Sequence, residues 1–425
     1  MIFNSSTDEF FFKKIPSFLI ILLPITLISG PFLSDLSVVL VTILFITFII
    51  KYNKYYLLNN LFTKIFLIFW IYILFNSLII NFDLTSLKIS FFYFRFLFLS
   101  LAISYLLEIN EKLLKALFFS FLLCFISLIF DGFFQYFFGQ NIFGMKIAYV
   151  PRVSSFFGDE LILGSYLSRL FPIFFGLTIF LYKKDLRKII LISSIFILLE
   201  GLVFISGERV AFFYINLSAF FIIILIDKFK LLRFVTLLLS FLLIFIIINF
   251  NDSAKTRVID LTVEQLGFAK KDTKKYIFSE EHQDIYMTAI NMFKDKPFFG
   301  VGIKNFKNKC SDKKYISGNY PCSTHPHNIY VQLLSETGFF GFIILFILFI
   351  FICIRLIKHF FYQLKRKTYF SDFQICILSA IFITIWPIAP NGNLFNNWLS
   401  IIYYLPVGIF LWTLKLEKNF KSKIN

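Results

Sequence analysis

Two histidines separated by a single residue, His325 and His327, head the stretch STHPHNIYVQLLSETGFFGF, residues 323–342. The chain has only four histidines, so a pair at one point asks for a chemical reading. An imidazole bonded to a backbone carbonyl, a metal ligand and a general base are the three open readings. Pro326 suits a first helical turn, and Thr324 or His325 suits its cap. That expectation puts His327 inside the first turn, where the positive end of the dipole disfavours the imidazolium. A histidine held neutral there accepts a proton near pH 7. Zinc ranks last, because a His-x-His pair needs further ligands, and Cys322 is better used in a disulfide. No metal and no cofactor are therefore expected.

Guanidinium groups form the second set. Arg209, in ISGERVAFF, begins an apolar run with almost no loop before it, and Arg152 and Arg169 flank the run in PRVSSFFGDELILGSYLSRL, with Asp159 and Glu160 between them. Arginine forks match phosphate oxygens, so arginines arriving from separate segments point to an anion site. The bland alternative is a snorkelling side chain. Arg95 is read as buried, with a carboxylate such as Glu200 for a partner. Downstream of His327, Asn328, Gln332 and Glu336 recur every four residues while Ile329, Tyr330, Leu333 and Leu334 cover the other side. The pattern predicts a short amphipathic helix lying on a membrane surface, from which Gly338 and Gly341 turn the chain. Residues 282–306 read as a further helix ending at a proline turn, a candidate lid.

Around these residues the chain is dominated by apolar runs. Of 425 residues 58% are hydrophobic and 65 are Phe, and the mean hydropathy is +0.80. A soluble globular chain is nearer ~45–50% apolar. The fold class expected is all-α, a polytopic membrane protein. Runs near 15–30, 32–50, 61–80, 88–107, 113–131, 161–182, 188–206, 209–226, 231–250, 337–357, 370–388 and 397–414 make about twelve spans. The net charge of +17 does not imply nucleic acid here. Its basic residues fall in alternate connections, KYNK, EINEKLLK, YKKDLRK, DKFKLLR and RLIKHFFYQLKRK, which the positive-inside rule assigns to the cytoplasm. The other connections then face outward, among them the long polar stretch 251–326. The expected division is spans one to nine over 1–250, an extracytoplasmic loop over 251–326, and an interfacial helix with spans ten to twelve over 327–425. Of the five cysteines, Cys124, Cys353 and Cys376 fall within spans. Cys310 and Cys322 share the outer loop, where an oxidising compartment permits a disulfide.

The segments KDKPFFGVGIKNF and HPHNIYVQLLSETGFFGF, preceded by SGERVAFF and by PRVSSFFGDELILGSYL, resemble the O-antigen ligase and polymerase superfamily in content and order, over about 152–345. The resemblance implies a helical bundle with a large periplasmic loop between spans nine and ten. It also implies metal-independent, inverting transfer of a glycan from an undecaprenyl-pyrophosphate-linked donor. By the same resemblance His327 is the general base on the acceptor hydroxyl, and Arg209 and Arg152 hold the donor pyrophosphate, with Arg169 beside them. His325, Asn328, Glu336 and Glu160 are expected in support. The chain departs from the pattern in Glu208, which stands before Arg209, and in His325.

The partners implied are a lipid-linked oligosaccharide donor, a lipid A core or other glycan acceptor, and membrane lipids. The expected location is the bacterial inner membrane with the site on the periplasmic side. Ligase is the first reading. A polymerase joining lipid-linked repeats is the alternative, and a lipid-linked glycan transporter, which would need paired broken helices, the second. A non-catalytic scaffold is the remaining possibility, and it predicts that removing the His327 ring changes nothing.

Overall fold

The computed structural model describes residues 6–149, 152–182, 184–250, 255–265 and 278–424, with side chains to residue 416. Parts of the long connection (251–254 and 266–277), Val150, Pro151 and Lys183 lie outside the described residues, as do the side chains of the C-terminal basic segment. The described residues are almost entirely helical, with two isolated bridges, Gln140 to Lys146 and Tyr149 to Arg152.

Among the described residues, ten helices are long and apolar enough to cross a membrane. They are α1 (Ser6–Ile28), α2 (Pro31–Lys51), α3 (Leu61–Ile80), α4 (Leu84–Ile109), α5 (Lys112–Phe138), α6 (Leu163–Tyr182), α7 (Leu186–Ile205), α9 (Lys230–Phe250), α11 (Ile329–Leu364) and α13 (Asn397–Leu416). Two shorter apolar helices, α8 (Arg209–Leu225) and α12 (Asp372–Thr384), fall on the eighth and eleventh expected spans. One polar helix, α10 (Glu280–Asp295), stands outside the apolar set and starts at a Ser279 cap.

Burial sorts these helices into a centre and a rim. Helix α6 is buried nearly all round, as a helix apolar on every face must be when other helices surround it. Helix α9 and the later part of α11 expose long rows of Leu, Ile and Phe, which lipid satisfies at no cost. Two buried charged groups of the bundle find partners on neighbouring helices. Arg95 meets Asp35 at 2.9 Å, not Glu200 as expected, and Glu200 instead accepts from Ser240 at 2.5 Å. Both partners are the nearest polar groups the packing offers, and periodicity alone gives no view of which helices are neighbours.

The segment after His327 departs most from expectation. Asn328, not Thr324 or His325, caps α11 by accepting from the backbone N–H of Tyr330 at 3.0 Å and Val331 at 3.2 Å. His327 therefore precedes the helix and does not occupy its first turn. The stretch does not lie on a surface either. Ile329, Tyr330, Gln332, Leu333, Ser335, Glu336 and Thr337 are all buried, because protein covers the polar side as well as the apolar one. It then continues into the apolar part of α11 through a kink at Gly338.

Candidate functional site

Two backbones dock directly at the base of the site. The turn after α10 lays Val301 N–H on the Ser335 carbonyl at 2.8 Å and Gly302 N–H on the Glu336 carbonyl at 3.0 Å, while Phe339 N–H reaches the Pro297 carbonyl at 2.8 Å. Gly300 and Gly338 both have positive φ, and a Cβ on either would come within 2.4 Å of the opposite backbone. This contact explains the paired Pro-x-x-Gly-x-Gly and Glu-x-Gly patterns. They are the two halves of one interface. Glu336, fully buried, accepts from Gln332 Nε2 at 2.9 Å and Phe306 N–H at 3.4 Å. Gln332 in turn donates to Asn393 at 2.9 Å and accepts from Leu394 N–H at 3.0 Å, which brings in the loop between α12 and α13.

Three of the four histidines meet above this base. The His325 and His327 rings are 4.2 Å apart between centroids, and the His282 ring, from the first turn of α10, is 5.4 Å from that of His327. His327 has φ 54, a left-handed backbone held by its own carbonyl, which accepts from Asn391 N–H at 2.6 Å and from the Tyr286 hydroxyl at 3.4 Å. Its Nε2 lies 2.8 Å from Ser323 Oγ, and its Nδ1 has no hydrogen-bond partner among the described residues. His325 donates from Nε2 to the Asn391 carbonyl at 3.2 Å and takes the Thr324 hydroxyl on Nδ1 at 2.9 Å.

Burial, with neighbouring cationic character behind it, keeps these rings neutral. The His327 pKa falls to about 4 through desolvation and then His282. That of His325 falls to about 4 through desolvation and then His327. For His282 the direction is also down, from desolvation, then Arg209, then His325. The influence of Arg209 sets that guanidinium within electrostatic reach of the histidines.

Arg152 and Arg257 lie on either side of Gly207, where an added Cβ would meet their Cγ atoms at 3.1 and 3.2 Å. Arg152 reaches the Ser206 carbonyl at 3.4 Å. Its pKa is lowered by burial and by Arg257, against a raising influence from Glu208. Arg209 holds Thr262 at 3.1 Å and Gln265 at 2.8 Å. The Nε of Arg257 is buried without a hydrogen-bond partner among the described residues, a donor left open as anion sites leave them. Glu208 does not neutralise this group by direct pairing. Its carboxylate caps α6, accepting from Gly164 N–H at 2.6 Å and Ser165 N–H at 3.0 Å, and burial raises its pKa to about 7.

Other expected residues fall elsewhere. Arg169 is buried, its two Nη groups spent on Ser165 at 2.8 Å and Asn391 at 2.9 Å, with the Tyr214 ring 4.8 Å away. It braces the loop that holds His327, its Nε is buried without a hydrogen-bond partner among the described residues, and with Arg152 it acts on Glu208. Glu160 is solvent-exposed without a side-chain contact among the described residues, since the chain swings outward there and Glu208 fills the position at the helix start. Cys310 and Cys322 form a disulfide with Cα atoms 5.2 Å apart. Among the described residues no group of three His, Cys, Asp or Glu is arranged to hold a metal.

Sequence reasoning passed over His282, Arg257 and Asn391. The first carried a signal, being another histidine among only four. Asn391 stands in APNGNLFNN, whose four asparagines in seven residues are unusual beside a span. Arg257 lies in the polar stretch after α9, with nothing local to distinguish it.

A helical membrane protein that gathers imidazoles, guanidinium donors and a carboxamide loop at one end of its bundle has the makings of an enzyme acting on an anionic substrate. Residues 192–346 match the family model described as O-antigen ligase. The match bears out the resemblance read from the motifs and places this stretch, from α7 into α11, in the O-antigen ligase superfamily. The superfamily carries glycosyl transfer of ligase or polymerase type. No curated protein sequence matches the chain.

Proposed function

We propose that this protein transfers a glycan from an undecaprenyl-pyrophosphate-linked donor to a sugar hydroxyl, the lipid A core in the ligase reading, at the periplasmic face of the inner membrane. The observation that carries the reading is the His327 ring, its Nδ1 without a partner among the described residues, packed 4.2 Å from the His325 ring and 5.4 Å from the His282 ring at the same end of the bundle as the unpartnered Arg257 Nε.

The donor diphosphate sits among Arg152, Arg209 and Arg257, whose forks offer several N–H donors to its oxygens. The acceptor oxygen attacks the anomeric carbon from the side opposite the diphosphate. As that bond forms, the bond from the anomeric carbon to the phosphate oxygen breaks, and its electron pair leaves with the undecaprenyl pyrophosphate. The guanidiniums stabilise the growing charge on the leaving group. His327, with Nε2–H given to Ser323, takes the acceptor proton on Nδ1. One displacement gives inversion, and the energy is that of the activated pyrophosphate.

A pKa near 4 makes the free imidazole a weak base. The arriving diphosphate corrects this. A negative charge brought beside the ring stabilises the imidazolium and raises its pKa. The ring thus gains basicity when substrate is bound and the proton must move.

Purified protein given lipid-linked donor and lipid A core is expected to yield glycosylated lipid A, and His327→Ala is expected to slow it by roughly 10²-fold or more. Elongation of donor by donor without lipid A core would replace the ligase reading with the polymerase one. Full transfer by a correctly inserted His327→Ala variant would overturn both.

A further inference from the structure

A cleft of about 350 Å3, which none of the clustered arginines lines, opens beside the histidine pair. Its walls carry Lys304, Lys307, Thr324, His325, Asn393 and Asn396. The volume falls within the range of small-ligand sites, ~300–1,000 Å3. No carboxylate contributes to the lining.

Three walls come from separate segments, and each is tied down. The lysine wall follows the docked turn. Ser86 Oγ donates to the Ile303 carbonyl at 2.6 Å, and Lys304 takes a left-handed backbone at φ 55. Non-glycine residues in that region are uncommon and gather where a fixed geometry is used. The wall of Thr324 and His325 is bound to the lysine wall by the Cys310–Cys322 disulfide, which closes the chain just after one and just before the other. The carboxamide wall is held by Gln332 on Asn393 at 2.9 Å and by the Asn393 carboxamide on Phe395 N–H at 2.8 Å.

The lining has a definite chemical bias. Two ammonium groups offer point charges to an anion, while Asn396, Thr324 and the Asn393 amide offer donors and acceptors to sugar hydroxyls. Lys304 is half-buried. Desolvation lowers its pKa and the buried Glu336 opposes that, so an anion in the cleft relieves a charge the protein already holds partly out of water. His325 lines the cleft, and its ring is 4.2 Å from that of His327. A sugar in the cleft therefore stands against His325, one ring away from the candidate base, and apart from the clustered arginines.

We propose that this cleft is the acceptor subsite and that it selects a sugar bearing a phosphate or carboxylate group, with the anion between Lys304 and Lys307 and the hydroxyls on Asn393, Asn396 and Thr324. The assignment as acceptor subsite rests on the glycosyl-transfer reading of His327; the anion selectivity does not. Phosphate and carboxylate present the same chemistry to the two lysines, so both are probed.

Glucose 6-phosphate, glucuronate and glucose are titrated against the purified full-length protein, against Lys304→Gln/Lys307→Gln, against Lys304→Arg/Lys307→Arg and against Arg152→Gln/Arg209→Gln. The two anionic sugars are expected to bind wild type at least tenfold more tightly than glucose. That preference disappears in the glutamine pair at the lysines, survives in the arginine pair there, and survives in the Arg152/Arg209 variant. Retention of the preference in the Lys→Gln variant, or its loss in the Arg152/Arg209 variant instead, overturns the subsite and assigns anion binding to the arginine cluster. In the transfer assay the Lys→Gln variant is expected to raise KM for a phosphorylated acceptor at least tenfold while KM for the donor stays within twofold. An equal rise for the dephosphorylated acceptor, or a rise in donor KM, overturns the acceptor assignment. Wild-type protein that shows the charge preference in binding but transfers nothing supports the anion subsite and overturns the proposed function, so the two failures are distinguishable.

Discussion

His327 holds its ring on a backbone conformation that costs a non-glycine residue about 1–2 kcal/mol, with φ at 54. Asn391 N–H and the Tyr286 hydroxyl, both on its carbonyl, keep it there. The ring points among two other imidazoles, and its lowered pKa, about 4, has a measurable sign. Neutral imidazole is the form that accepts a proton, and in the free enzyme it persists from neutrality down to about pH 5. The profile of kcat/KM against pH, which reports free-enzyme groups, is therefore expected to be flat through pH 6.5 and to fall only as pH approaches 4. An acid limb centred near 6.5 would show an ordinary solvated histidine and remove the burial argument. Stability has the same sign, because a folded-state pKa below the unfolded one of about 6.5 means stability present above 6.5 and lost as pH falls toward 4. Replacing the ring is a separate test. His327→Ala is expected to lower kcat by roughly 10²–10⁴-fold, the usual worth of a general base, with chromatographic behaviour and thermal midpoint close to wild type.

At the scale of elements, the docked turns decide whether the site exists at all. Gly300→Ala combines a positive φ with a backbone contact at 2.4 Å that cannot yield. The expected loss is roughly 3 kcal/mol or more, read as a lowered thermal midpoint in detergent, together with loss of transfer. A wild-type midpoint would mean that the turn is free of α11. The disulfide is a milder case. Closing a loop of sequence separation 12 is worth about 3 kcal/mol in the chain-entropy model, so Cys310→Ser/Cys322→Ser is expected to lower the thermal midpoint while the protein still inserts and folds. Much of this level was legible beforehand. Apolar runs gave the spans because lipid demands an unbroken row of about 20 apolar residues, and the glycine motifs marked the turns. The α11 start was misread for a physical reason. A period-four polar stripe looks the same whether water or buried carboxamides face it, and only the tertiary structure supplies Asn393 and Phe306 as the partners of Gln332 and Glu336. The same blindness hid Arg257 and Asn391, whose roles depend on neighbours far along the chain, and misassigned Glu160, which differs from Glu208 only in what packs against it.

Across the whole molecule, charge and geometry divide the two ends of the bundle. The connections following α3, α5, α7, α9 and α12 supply the site, and Tyr72, Asn76 and Asn81 near the end of α3 hydrogen-bond to carbonyls of residues 298–300. The opposite end collects the lysine-rich turns, with Lys51 on Asp8 and Lys415 on Glu108. Surface pairs of that kind contribute little to stability, whereas their side of the membrane is set by the excess of Lys and Arg in short loops. Alkaline phosphatase, which is active only outside the cytoplasm, provides the test. Fused after Gly158, Gly207 or Ser323 it is expected to be active, and after Asn53, Lys228 or Lys367 inactive. The decisive pair is Gly207 against Lys228, because α8 between them is only 17 residues long. A helix of that length spans ~26 Å at 1.5 Å per residue, slightly short of a ~30 Å hydrocarbon core. Arg209 at its start shortens the apolar part further, and the membrane must thin locally or the helix must sit low for the crossing to complete. Local thinning would bring the arginine cluster toward the headgroup level, where a diphosphate anchored by its lipid tail resides. Activity at both fusion points would mean that α8 does not cross, which would reverse every later span and put His327 and the arginines on opposite faces, leaving no common site for one reaction.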